Sequence, residues 1–365
     1  MPHHAVRALP LTTLESIGFD EFFAAQLAAA GETDWVPARV ASEGRKTFAL
    51  LGCRAPLGEL AGRLRRSLAP EERPVCGDWV AVTDGEHRAV IQHVLERRTA
   101  LVRRAPATDA DVQVLAANVD VFFVVTAVNR DFNVRRLERY LTAVWNSGAE
   151  PVVVLNKVDL EPDLAPFLEQ IESVAIGVPV VRSSAVTGEG LDELRAYTGF
   201  GRTVGFIGSS GVGKSSLTNR LLGQEVQAVG GLRADEKGRH TTTARQLVML
   251  PGGGLLVDTP GLRELGLVDD AGGLDVSFPD VAQFAAHCKF RDCRHDGEPG
   301  CAVAEAVARG ELSAERFESY RKLQREIEAA ERKRDHAAAA RERQKWKTIH
   351  KALRARSKVD PKLKR

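Results

Sequence analysis

The segment GSSGVGKS, Gly208 to Ser215, fits the phosphate-loop pattern G-x-x-x-x-G-K-[ST]. Each residue type there answers a chemical need. Gly208, Gly211 and Gly213 can take backbone angles that side chains forbid, so successive N–H groups can turn inward around an anion. Ser209, Ser210, Val212 and Ser216 extend the same cradle. Lys214 is long enough to reach β- and γ-phosphates, and the Ser215 hydroxyl suits Mg²⁺. Further on, Cys288, Cys293, His295 and Cys301 have the spacing C-x4-C-x-H-x5-C. Three thiolates and one imidazole make a closed tetrahedral set for a structural Zn²⁺, with no open position for catalysis.

A second four-residue element, Asn156-Lys157-Val158-Asp159, matches the guanine-reading N-K-x-D sequence of GTP-binding proteins. The Asp159 carboxylate can accept from both N1–H and the exocyclic amine of guanine. Adenine offers neither donor in that geometry, so a buried carboxylate would be left unpaired against ATP. Asn156 is expected to brace the phosphate loop, and the Lys157 stem to cover a face of the base. Ser183-Ser184-Ala185 resembles the short element whose backbone N–H contacts guanine O6. Two switch segments follow. Arg239-His240-Thr241-Thr242-Thr243 offers hydroxyls for a second Mg²⁺ ligand, with Thr242 favoured. Asp258-Thr259-Pro260-Gly261 would hold Mg²⁺ through water at Asp258 and sense the γ-phosphate through the Gly261 N–H. Many GTPases place a glutamine next to orient the attacking water. Leu262 stands there instead and cannot do so. His240 is one candidate for that role, and a partner RNA or protein is another.

These residues need strands and helices to hold them. Val119–Val128, the run PVVVLN before Lys157, VPVV before Arg182, Val204–Ile207 and the run before Asp258 are short and apolar, as buried parallel strands are. Helices are expected over 133–145, capped by Asn133, over 163–174, and after Gly213. Ahead of them, residues 14–30 read as an amphipathic helix anchored by Phe22, Phe23 and Leu27. Short β-like segments from Trp35 to Leu95 then read as a small OB-type barrel. Within it Arg63, Arg65 and Arg66 are expected on an exposed loop able to meet nucleic-acid phosphates. Val303–Arg309 and a segment capped by Ser313 read as helices.

Composition narrows the class. Net charge is +2 over 365 residues, but residues 321–365 carry 17 Lys/Arg against 6 Asp/Glu. That surplus of 11 leaves the remainder at −9 and points to a polyanionic partner. Five cysteines, three of them clustered, fit a metal site and not a disulfide framework. No signal-peptide pattern is visible at the start, and no apolar run approaches the ~18 residues of a membrane span. A cytosolic, monomeric protein is expected.

The order NKVD, SSA, GSSGVGKS, HTTT, DTPG is a circular permutation of the small-GTPase order. With the leading β-module and the trailing C-C-H-C knuckle, the chain resembles the RsgA (YjeQ) family, bacterial GTPases of late small-subunit ribosome maturation, over residues 35–330. The resemblance implies a helical extension at 1–34, an OB-fold at 35–110, a permuted GTPase domain at 111–268, a zinc-binding helical domain at 269–330 and a basic tail at 331–365. It also implies binding to 16S rRNA on the 30S subunit and hydrolysis of GTP stimulated by it. An RNA-binding chaperone that uses GTP only as a ligand, and a large-subunit GTPase, are the alternatives. Replacing Asp159 by Asn should weaken discrimination between GTP and ATP in competition binding; an unchanged preference would remove the guanine-reading role.

Overall fold

The computed structural model describes residues 13–104, 112–130, 132–223, 245–258, 274, 277–325 and 328. His240, Thr242, Gly261, Leu262 and the basic tail lie outside these residues.

The amino-terminal helix is broken where a single one was expected. A 3-10 turn at Glu15–Ile17 stops at Gly18, which has φ +86°, and α1 runs Glu21–Ala29 from an Asp20 cap. A Cβ on Gly18 would lie 2.7 Å from the Gly201 carbonyl, so glycine lets this turn approach the loop before the phosphate-loop strand. Of the two expected anchors at 22 and 23, Phe23 is buried and Phe22 is 39% exposed.

Five strands then close a barrel: β1 (Trp35–Glu43), β2 (Phe48–Leu51), β3 (Leu57–Leu60), β4 (Trp79–Thr83) and β5 (Ala89–Val94). Their order is β1-β2-β3-β5-β4, and β4 pairs back with β1. Only β3 and β5 run parallel. Ala38, Val40, Leu50, Val80, Val82 and Ile91 fill the inside. Between β3 and β4 lies α2 (Gly62–Ser67), so Arg63, Arg65 and Arg66 sit on an exposed short helix and not on a loop. Strands β6 (Ala100–Arg104) and β7 (Val112–Ala117) pair antiparallel on either side of the position where the barrel was expected to end.

The central sheet has the order β10-β9-β8-β11-β13-β12. Its members are β8 (Val121–Ala127), β9 (Glu150–Asn156), β10 (Val180–Ser183), β11 (Thr203–Gly208), β12 (Gln246–Met249) and β13 (Leu255–Asp258). All pair in parallel except β12, which is antiparallel to β13. β8 and β11 are buried at every position, as strands with both faces covered must be. Helices α3 (Val134–Asn146), α4 (Ala165–Glu172), α5 (Leu191–Ala196) and α6 (Lys214–Leu222) complete this unit. Asn133 caps α3 by accepting from the Arg136 N–H at 2.9 Å, as expected, and α4 is shorter than the 163–174 span.

Barrel and sheet are joined twice. At the edge, β12 pairs with β1 through Ser42 and Gln246, making one continuous eleven-stranded sheet. Deeper, the Arg39 guanidinium is 1% exposed and donates to the carbonyls of Ile17, Gly77 and Asn118, one from each neighbouring segment. Burial pushes its pKa down to about 10.

The carboxyl-terminal part contains α7 (Pro279–Ala285), α8 (Ala302–Ala308) and a helix over 314–325. Arg316 anchors it to the central unit. Its guanidinium bonds Asp280 at 2.5 and 3.0 Å and reaches Glu138 on α3 at 3.0 Å, with the Arg316 and Glu138 side chains 9% and 4% exposed. It also stacks over Phe278, 4.7 Å from the ring centroid.

Candidate nucleotide site and metal centre

The carboxyl ends of β9, β10, β11 and β13 meet at one edge of the sheet, where ligands bind in open α/β folds. Gly208 ends β11 with φ +147°, Gly211 has φ +80° and Gly213 φ +100°, and α6 begins at Lys214. These angles turn the loop back on itself ahead of the helix N-terminus. Lys214 Nζ donates to the carbonyls of Gly208 and Ser209 at 2.6 and 2.5 Å, so the ammonium is folded over the mouth of its own loop. Ser210, Gly211, Ser215 and Ser216 are exposed around it, and Val212 is buried beneath.

Asn156, at the end of β9 and 1% exposed, joins the loop to the second motif. Its Nδ2 donates to the Val212 carbonyl at 2.8 Å, and its Oδ1 accepts from the Ser183 hydroxyl at 3.2 Å. The fit is tight: a Cβ on Gly213 would lie 2.2 Å from Asn156 Nδ2. Lys157 takes the left-handed region, φ +63°, and starts a 3-10 turn over Val158–Leu160 that presents Asp159. The Ser184 hydroxyl donates to Asp159 Oδ1 at 2.5 Å and accepts from the Val186 and Thr187 N–H groups. Asp159 was expected as a buried carboxylate; among the described residues it is exposed. Ala185 is half-buried beside it. Asp258 ends β13 at the same edge of the sheet.

Two arginines of this region were not found by sequence reasoning. Arg136, in the first turn of α3, donates through NH1 to the Ser209 hydroxyl at 2.5 Å. Arg220 on α6 donates to the Ala185 and Val186 carbonyls at 2.7 and 2.8 Å, pinning the loop that carries Ser184. Both contacts span dozens of residues, and neither position belongs to a spaced motif.

The four residues of the knuckle also converge. The ligand atoms of Cys288, Cys293, His295 and Cys301 all lie within 4.8 Å of one another. His295 Nδ1 is 3.6 Å from Cys288 Sγ and 3.4 Å from Cys301 Sγ, and those two sulfurs are 4.0 Å apart. A tetrahedral zinc site with Zn–S near 2.3 Å and Zn–N near 2.05 Å requires about 3.8 Å between sulfurs and about 3.6 Å from sulfur to nitrogen. The donor set therefore fits a metal ion. Burial works against the Cys288 thiolate, but the N–H groups of Val303 and Ala302 and the neighbouring thiols outweigh it and bring its pKa down. Cys293 is pushed up to about 12 by desolvation and by the Cys301 and Cys288 sulfurs beside it. Burial also lowers the His295 pKa, favouring the neutral ligating imidazole.

A mostly parallel sheet whose guanine-type motif precedes its phosphate loop, with a barrel before it and a Cys3His cluster after it, defines a circularly permuted phosphate-loop GTPase. The comparisons with known proteins carry this to a family. The model of the RsgA GTPase family matches residues 94–268. The "Small ribosomal subunit biogenesis GTPase RsgA" of Opitutus terrae is 46% identical over 95% of this chain and 99% of its own length. The protein of the same name from Streptomyces coelicolor is 48% identical over 75% and 76%. Among solved structures, YjeQ from Thermotoga maritima is 30% identical, covers 80% of this chain and 98% of its own, and superposes with a TM-score of 0.59. YloQ, described as a circularly permuted GTPase, shares the fold at 23% identity, 81% and 96% coverage and a TM-score of 0.58. The chain belongs to the RsgA GTPase family.

Replacing Gly213 by Ala would place a methyl group into Asn156 and strain a left-handed backbone position. Affinity for GDP should fall at least tenfold in a fluorescent-nucleotide titration, while the far-ultraviolet circular dichroism stays close to wild type.

Proposed function

We propose that this protein hydrolyses GTP at the loop Gly208–Ser216, docks on the small ribosomal subunit through its RNA, and is released after hydrolysis. The observation that carries the reading is the Asn156–Val212 hydrogen bond, which brings the guanine-type motif and the phosphate loop into one site. The loop's N–H groups and Lys214 would hold the β- and γ-phosphates, and Asp159 would read the guanine edge beside Ser184 and Ala185. Mg²⁺, bound by Ser215 with Thr242 and Asp258, would neutralise charge on the phosphates. Gly261 would sense the γ-phosphate, and His240 is the in-chain candidate for placing water in the absence of a glutamine at Leu262.

The names of the relatives supply the subunit, and surface chemistry supports RNA as its contact. On the barrel, Trp35 and His93 stack with ring centroids 6.5 Å apart, and the Arg63 guanidinium lies 5.9 Å from the Trp35 centroid. Exposed Arg65 and Arg66 follow on the same helix. Aromatic faces next to guanidinium groups are how OB-type barrels hold unpaired bases and phosphates. Lys289, Arg291 and Arg294 project from the knuckle, whose metal we assign as one structural Zn²⁺. We take 35–110, 111–268 and 269–330 as the working units, and the cytosol as their compartment; among the described residues no helix is long and apolar enough to cross a membrane.

GTP turnover by the purified protein should rise strongly with small ribosomal subunits and not with large ones. Equal turnover in both cases, despite tight GTP binding, would overturn the small-subunit reading. Stripping the metal with a strong chelator should unfold the knuckle and abolish subunit-stimulated turnover, with little loss of GDP affinity. Metal analysis giving one zinc per chain would accompany this; undiminished stimulation of the metal-free protein would count against a docking role for the knuckle.

A further inference from the structure

We infer that Arg136 is a positioning residue for GTP hydrolysis, delivered to the phosphate loop by a helix whose pose the metal-bearing domain holds. The inference rests on the reading of Gly208–Ser216 as the GTP site. The first two turns of α3 carry two contacts that point in opposite directions. Arg136 NH1 donates to the Ser209 hydroxyl at 2.5 Å. Two residues later, Glu138 accepts from Arg316 at 3.0 Å across the interface to the carboxyl-terminal part. Residues i and i+2 lie about 200° apart around a helix, so α3 is clamped between the loop and that domain.

The chemistry on the loop side is specific. Ser209 also gives its carbonyl to Lys214 Nζ at 2.5 Å. One loop residue therefore takes a guanidinium on its side chain and an ammonium on its backbone. That places a second positive charge beside the cradle and fixes the turn from which the phosphate-facing N–H groups issue. Negative charge shifts within the phosphates during γ-phosphoryl transfer, and preorganised positive groups there act on the transition state more than on the ground state. With Leu262 in the place of a water-orienting glutamine, such electrostatics would add to what His240 or a docked partner supplies.

The domain side is equally built. Glu138 and Arg316 are nearly fully buried, and Asp280 completes the pair. Breaking a buried pair by removing one partner leaves an uncompensated charge, which gives the helix a reason to shift. The position of the metal-bearing domain is thereby transmitted to Arg136 through the start of one helix.

The test is GTP hydrolysis and GDP affinity of the full chain, with small subunits present. Arg136→Met should lower kcat about tenfold, the size expected from losing one charge-assisted hydrogen bond. KM and GDP affinity should change less than twofold. Arg136→Lys should recover part of the loss. Arg136→Met should cost little more on a Ser209→Ala background, and Arg316→Met should lower kcat non-additively with it. An unchanged kcat in Arg136→Met would overturn the inference. So would a loss confined to KM, or an equal fall in the Lys and Met variants accompanied by a lower melting temperature. Wild-type protein that binds GTP without hydrolysing it would instead overturn the underlying reading, and the inference with it.

Discussion

The nucleotide site depends on one buried amide. Asn156 closes the end of β9, donates to Val212 in the phosphate loop and accepts from Ser183 at the end of β10. In a permuted chain these three pieces follow one another in an unusual order, and the segment between Asn156 and Val212 includes two further helices. Covalent continuity does not set their spacing; a side chain with both a donor and an acceptor does. Gly213 is the complementary constraint, because any Cβ there would occupy the volume of the Asn156 amide. The loop, the guanine-type turn and the Ser184 element are therefore one rigid assembly, and Arg220 ties its far side to the same helix that the loop begins.

Much of this was legible in the sequence because motif residues carry their own geometry. GSSGVGKS names a strand end, a tight turn and a helix start, and all three occur where the pattern puts them. Buried parallel strands advertise themselves as apolar runs, and VFFVVTA is buried throughout. The Cys3His spacing encodes a knuckle compact enough to bring four ligand atoms together.

What was not legible is non-local or too short. Strand β3 is only LGEL, with a glycine inside, and earns its place by pairing with β2 and β5 rather than by propensity. The break at Gly18 serves a contact with Gly201, more than 180 residues away. The arginines of α2 were expected on an exposed loop, yet the six residues Gly62–Ser67 form a short helix there. Arg39, Arg136 and Arg220 belong to no spaced pattern; each is defined by the carbonyls or hydroxyl it meets after folding.

The shared edge between barrel and central sheet has a consequence for how the chain can be divided. β12 is the antiparallel border of the GTPase sheet, and its outer side meets β1 of the barrel at the Ser42–Gln246 pair. A strand left without that neighbour would display unpaired N–H and C=O groups, the template on which foreign strands add. The barrel thus shields part of the edge of the GTPase sheet, and cutting the chain between them would bare that edge.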